Sequence, residues 1–105
     1  MLFRSNIYPA EVESAVYGHP SVAEVAVIGV PDDKWGEAVK AMVVLKPGAE
    51  PDPESIIAFA RTRIAAFKAP KTIDFIDVLP RNPSGKILRR ELRAPYWEGR
   101  TRQVN

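Results

Sequence analysis

Ala23-Glu-Val-Ala-Val-Ile-Gly-Val30, Pro31-Asp-Asp-Lys-Trp-Gly36 and Val39-Lys-Ala-Met-Val-Val-Leu45 decide the fold. The first segment is apolar on both alternating faces, the pattern of a strand in a central position, covered from both sides. The second is turn chemistry, and the third is another strand, closed by Lys46-Pro47-Gly48. So short a connection lets the two strands pair antiparallel.

Upstream, Pro9-Ala-Glu-Val-Glu-Ser-Ala-Val-Tyr-Gly18 reads as a helix. Pro9 suits its first position, Glu11 and Glu13 its electropositive start, and Gly18 its C′ position. Val12, Ala15 and Val16 give one apolar face. His19-Pro20 stops the helix, and His19 is expected to serve the last helical carbonyls. Downstream, Asp52 as N-cap and Pro53 open a second helix. Ile56, Phe59, Ala60, Ile64 and Phe67 continue it at near-helical spacing to Ile64 or beyond, and Ala69-Pro70 ends it. Thr72-Ile-Asp-Phe-Ile-Asp-Val78 is a third strand, and Pro80 to Pro83 is a loop. Residues 87–93 form a short helix with Ile87, Leu88 and Leu92 inward. From Pro95 the chain becomes a polar tail, with Tyr96 and Trp97 as anchors. The expected architecture is α+β: a small three-stranded antiparallel sheet with helices packed on it, in the order helix–strand–strand–helix–strand.

Composition narrows the chemistry. A length of 105 residues leaves room for one domain. No cysteine is present, which removes disulfides, thiolate zinc sites and a cysteine nucleophile. The single histidine, His19, offers little from which to build a Ser–His–Asp triad or a multi-histidine metal site. No run approaches the ~20 apolar residues of a membrane span, and the start MLFRSNIYP lacks a signal-peptide core, so a cytoplasmic location is expected. The net charge of +2 hides two unlike halves: residues 1–59 hold four basic and nine acidic side chains, residues 60–105 eleven and four. A segregated basic half suits a polyanionic partner such as a nucleotide, although a solvated surface has the same composition.

The densest motif is Pro80-Arg-Asn-Pro-Ser-Gly-Lys-Ile-Leu-Arg-Arg-Glu-Leu92. Two prolines and Gly85 fix a tight excursion that presents Lys86, a mobile ammonium suited to phosphate or carboxylate oxygens. An ordinary surface lysine would look the same. It is not a P-loop, because Pro80 and Ile87 stand where that motif needs Gly and Ser or Thr.

Phe67-Lys-Ala-Pro-Lys71, a strand, and then Leu79 to Leu92 together resemble the last signature of the adenylate-forming, AMP-producing acyl-CoA synthetases. Asn6-Ile-Tyr-Pro-Ala-Glu-Val-Glu13, Ala26-Val-Ile-Gly-Val-Pro-Asp-Asp-Lys-Trp-Gly-Glu37 and Tyr96-Trp-Glu-Gly-Arg100 resemble the same family in the same order. The likeness covers residues 6–105, with 6–94 as the C-terminal lid domain, 95–105 as a tail and 1–5 as an atypical lead-in.

The resemblance implies an ATP-dependent ligase in two steps. A carboxylate attacks the α-phosphate of ATP to give acyl-adenylate and pyrophosphate, and the thiol of coenzyme A then displaces AMP. It implies that Lys86, supported by Pro83, Ser84 and Gly85, serves the first step. Trp35, Phe67, Lys68 and Lys71 are implied contacts to coenzyme A in the second. Each has a plainer reading: Phe67 as the last core residue of its helix, Trp35 as a turn residue, Lys68 and Lys71 as solvated. Ala69 stands where some relatives carry arginine. Residues 3–5 stand where relatives have a Gly-Gly-Glu turn, after a hinge residue further upstream. The ATP loop, acyl pocket and Mg2+-binding residues are implied to belong to an N-terminal partner domain, in cis or in trans. The isolated chain is therefore expected to be inactive, and the tail weakly suggests a fatty acid. Two other readings stand beside this one: a non-catalytic binder of coenzyme A or another nucleotide, and a nucleic-acid binder. The latter is disfavoured because the aromatics are not interleaved with the basic run.

Overall fold

The computed structural model describes residues 9–33 and 36–98. Helix α1 (Pro9–Tyr17) leads into β1 (Val22–Asp32), β2 (Gly36–Leu45), α2 (Pro53–Arg61), a 3-10 turn (Ala66–Lys68), β3 (Thr72–Phe75) and α3 (Arg89–Trp97). The expected order of elements is met, and the short helix expected over residues 87–93 runs instead from Arg89 to Trp97.

Alternation along β1 and β2 builds two cores. Val27, Val39, Ala41 and Val43 face α1 and α2, where they meet Val12, Val16, Ile56 and Ala60. Ala26, Ile28, Val30 and Met42 point the other way, to Leu79 and to Leu92 of α3. The sheet is thus covered on both faces, as the double-sided apolar pattern requires. β1 is nevertheless an edge strand, since the sheet order is β1-β2-β3 and β2 is central.

The sheet is mixed and not wholly antiparallel. β1 and β2 form the expected antiparallel hairpin, but β3 runs parallel to β2, pairing Lys40 with Thr72 through to Val43 with Phe75. The reason is the connection: a strand that returns through a helix on the sheet face comes back in its original direction. β3 is also shorter than the apolar run suggested. It ends at Phe75, leaving Val78 69% exposed.

The helix ends differ from the sequence reading in instructive ways. α2 is capped by Asp52, whose carboxylate accepts the Ser55 amide at 3.2 Å, with Pro53 at its first turn. It stops at Arg61, because Thr62 turns both its amide and its hydroxyl onto the Phe59 carbonyl, at 3.0 and 2.6 Å. Gly18 is not a left-handed cap; it is small because a Cβ there would come within 3.1 Å of the Phe59 ring. His19 does not serve the carbonyls of α1. Its Nδ1 accepts the Ser21 amide at 3.0 Å and its Nε2 meets Ser55 Oγ at 3.0 Å. The ring therefore joins the segment after α1 to α2.

Helix α3 runs through Pro95 to Trp97, where a polar tail was expected. Proline inside a helix forfeits an amide and crowds the preceding turn, at about 3 kcal/mol. The residues just beyond it offset that cost. Tyr96 donates its hydroxyl to Asp74, and Trp97 Nε1 donates to the Gly29 carbonyl at 2.8 Å. Among the described residues no helix is long and apolar enough to cross a membrane.

Candidate functional site

Residues 80–88 form a hairpin that holds Lys86 in the open. The Gly85 amide closes a turn onto the Asn82 carbonyl at 2.9 Å, and the Asn82 amide donates to the Lys86 carbonyl at 2.9 Å. Arg81 and Ile87 pair as a bridge below the tip, and the Leu88 amide reaches the Pro80 carbonyl. Gly85 has φ +90°, the conformation that lets a short hairpin close with a bulge. Asn82 then braces the tip from within. Its Oδ1 accepts the Ser84 amide, the Ser84 hydroxyl and the Lys86 amide, at 3.0, 2.8 and 2.9 Å.

The backbone is thereby fixed while the Lys86 side chain stays exposed. Its ammonium has no ion pair or hydrogen bond among the described residues. A fixed backbone with a free cation is the arrangement that can stabilise negative charge developing on an incoming ligand. Pro83, Ser84 and Gly85 form the tip that supports it.

The other expected site residues lie elsewhere. Phe67 and Lys68 belong to the 3-10 turn, and Lys71 immediately precedes β3. Phe67 is 61% exposed, so it is not the last core residue of a helix. Lys71 is exposed and its amide is tied to the Val39 carbonyl at 2.8 Å. Lys68 is engaged: its ammonium bridges both carboxylate oxygens of Glu11 at 3.2 and 3.3 Å, lying 5.9 Å from the Phe67 ring centre. That contact gives Lys68 a structural tie between α1 and the 3-10 turn. Trp35 lies outside the described residues, as do 1–8 and the segment from 99 on.

Lys71 and the Lys86 hairpin are anchored at different points along the sheet. Lys71 is bonded to Val39, which sits opposite Gly29 on β1, whereas Arg81 at the base of the hairpin pairs with Glu24. Gly29 and Glu24 are separated by about 17 Å along the strand at the usual rise per residue. The backbone anchor of Lys71 and the leading foot of the hairpin thus meet β1 at different points, while the trailing foot reaches Val27 between them through Arg89 and Glu13.

Sequence reading missed two sets of residues. Lys40 is buried in the middle of β2 and reaches Asp74 at 3.1 Å, with its ammonium 5.2 Å from the Tyr96 ring centre. Burial pushes the Asp74 carboxyl up, but the hydrogen bonds from Tyr96 and Lys40 and the charge of Lys40 outweigh it, so the group sits below its ordinary value. Tyr96 is pushed up to about 12 by burial, by its bond to Asp74 and by that carboxylate's charge. The one sequence cue was a lysine inside an otherwise apolar strand. The second set is Glu13 with Arg89 and Glu24 with Arg81, at the feet of the hairpin. No local pattern links residues so far apart in the chain. No cluster of three or more His, Cys, Asp or Glu that could hold a metal occurs among the described residues.

Comparison with known proteins gives the same domain. Residues 11–86 match the family model described as AMP-binding enzyme C-terminal domain. The chain is 53% identical over 100 residues to the fatty acid–[acyl-carrier-protein] ligase ScoC of Streptomyces coeruleorubidus, covering 95% of this chain and 19% of that protein. It is 50% identical over 91 residues to the long-chain-fatty-acid–CoA ligase FadD13 of Mycobacterium tuberculosis, covering 87% and 18%. A solved fatty acyl CoA synthetase of Mycobacterium tuberculosis superposes with a TM-score of 0.80 at 49% identity, covering 88% of this chain and 18% of that one. The chain thus spans about a fifth of the length of these relatives.

Proposed function

The chain belongs to the AMP-binding enzyme C-terminal domain family, and from that premise we propose that it is the lid of an ATP-dependent, AMP-forming acyl-CoA ligase. One observation carries the reading: Lys86 is held on a braced hairpin with its ammonium unpaired among the described residues. In the first half-reaction a carboxylate oxygen attacks the α-phosphorus of ATP, and pyrophosphate leaves. Negative charge is redistributed over the reacting oxygens, and a positioned ammonium stabilises it more in the transition state than in the ground state. Lys86 has the geometry for that task.

The second half-reaction needs a different surface. The thiol attacks the acyl carbonyl of the adenylate and AMP departs. Phe67 offers an exposed ring for an adenine, and Lys71 an exposed ammonium for phosphate. The resemblance assigns Trp35 to the same step, and Lys68 acts there through the Phe67 and Glu11 contacts that hold the turn. Lys71 and the leading foot of the Lys86 hairpin are anchored at different points along the sheet, which supports a lid that turns between steps. ATP, the acid and Mg2+ are bound in this reading by the N-terminal domain, so the chain alone turns nothing over. Orientation of the reactants supplies much of the rate, and one lysine does not provide it. The acyl-carrier-protein acceptor named for one relative makes a carrier-bound thiol a second acceptor to assay beside coenzyme A.

The test uses a ligase in which this chain supplies the C-terminal domain. Lys86→Ala should lower acyl-adenylate formation by about 100- to 1,000-fold and leave thioester formation from supplied acyl-adenylate near normal. Equal loss in both half-reactions would remove Lys86 from this role. Trp35→Ala should raise the apparent KM for coenzyme A and leave that for ATP unchanged.

A further inference from the structure

We infer that Glu13 and Glu24 are positioning residues for Lys86, gripping the two feet of its hairpin through Arg89 and Arg81. The inference rests on the reading that Lys86 serves adenylation.

The hairpin explains its own shape but not its aim. Asn82 braces the tip internally, and residues 83–86 are all exposed, so no apolar side chain of the tip anchors it to the sheet. Leu79 and Ile87 bury the stem against the α3 core. Such packing is non-directional and sets depth more than angle. Direction comes from the charged contacts at each foot.

On the leading side, Arg81 Nη1 lies 2.8 Å from Glu24 Oε1 of β1. The contact is charge to charge without hydrogen-bond alignment, and that oxygen is buried with no other partner. On the trailing side, Arg89 opens α3 and pairs with Glu13 of α1. Glu13 Oε2 also accepts the Val27 amide at 2.8 Å, so the carboxylate is itself fixed to β1. Both carboxylates line one groove, with Tyr17 and Arg81. The two grips therefore act from the same side of the hairpin, one before Lys86 and one after it.

Aim matters because a catalytic group must be held to within about 0.5 Å, and a misplacement of about 1 Å can cost roughly 100-fold in rate. A role confined to stability would lower the melting temperature and affect both half-reactions alike. A positioning role affects adenylation alone.

The experiment compares Glu13→Gln, Glu24→Gln and the charge swap Glu24→Arg with Arg81→Glu, in a ligase carrying this chain, against Lys86→Ala. Each Gln variant should lower kcat for acyl-adenylate formation by about 10- to 100-fold, with KM for ATP and thioester formation from supplied acyl-adenylate unchanged. The swap should recover most of the rate lost by Glu24→Arg alone. Glu24 belongs to a half-exposed pair, so its variant keeps the test open should Glu13→Gln fail to fold. Normal adenylation in the folded Gln variants beside a crippled Lys86→Ala would overturn this inference alone. So would parallel loss of both half-reactions. Normal adenylation in Lys86→Ala would remove the underlying reading, and this inference with it.

Discussion

At Gly85 a backbone angle, and not space, sets the constraint: a Cβ would meet nothing within 4 Å, but φ is +90°. An L-residue held in the left-handed region costs about 1–2 kcal/mol. Gly85→Ala should therefore strain the turn that Asn82 braces, lowering adenylation by about 10-fold and the unfolding midpoint in urea by up to about 1 M. The half-reactions and a denaturation curve read the two effects separately. At this scale the sequence was legible where chemistry is local. Pro83, Ser84, Gly85 and Lys86 announce a tight loop with a cation, and the structure places them so. Glu13 was legible only as a carboxylate near a helix start; its two real partners, Val27 and Arg89, are brought to it by tertiary packing. Gly18 read as a helix terminator and proved to be a clearance for Phe59, which no local pattern encodes.

At the scale of elements, α3 depends on what lies beyond its proline. Tyr96, Asp74 and Lys40 form one partly buried polar cluster that holds the helix to the sheet. The tyrosine's folded value is raised from 10.0 to about 12, so the folded state favours its neutral form. That contribution is fully present below pH ~10 and is lost as pH rises from the unfolded value toward the folded one. Asp74 is shifted the other way, below 3.8. Its contribution is present above the ordinary carboxylate range and is lost as pH falls through the lowered value. Tyr96→Phe should cost about 1 kcal/mol at neutral pH, where a partly buried hydrogen bond is lost, and should flatten the decline in stability between about pH 10 and 12. Circular dichroism melts across that range measure both. Most elements were readable because alternation and helical spacing are strong local signals. The direction of β3 was missed for a topological reason: two adjacent strands suggested a wholly antiparallel sheet, whereas the helix between β2 and β3 dictates a parallel return. The end of α2 was missed because Thr62 captures the Phe59 carbonyl, a competition that apolar spacing does not reveal.

For the whole molecule, the uneven charge along the chain acquires a structural meaning. The acidic first half supplies Glu11, Glu13 and Glu24, and the basic second half supplies their partners Lys68, Arg89 and Arg81. Part of the basic excess is thus internal glue, and Lys71 and Lys86 are exposed cations outside these pairs. Ile28, fully buried between strand and α3, reports on the stability of this arrangement. Ile28→Ala should cost about 2–5 kcal/mol in an unfolding titration, with no preference for either half-reaction among molecules that remain folded.

The central claim is that the chain supplies a lysine to an active site it does not itself contain. Its most direct test mixes the purified chain with a family N-terminal domain from which the C-terminal domain has been removed, and follows release of pyrophosphate from ATP that depends on added carboxylic acid. The account predicts negligible release by either part alone, restored release on mixing or fusing them, and loss of that restoration with Lys86→Ala. Release by the chain alone, or undiminished release from the fusion carrying Lys86→Ala, would contradict it.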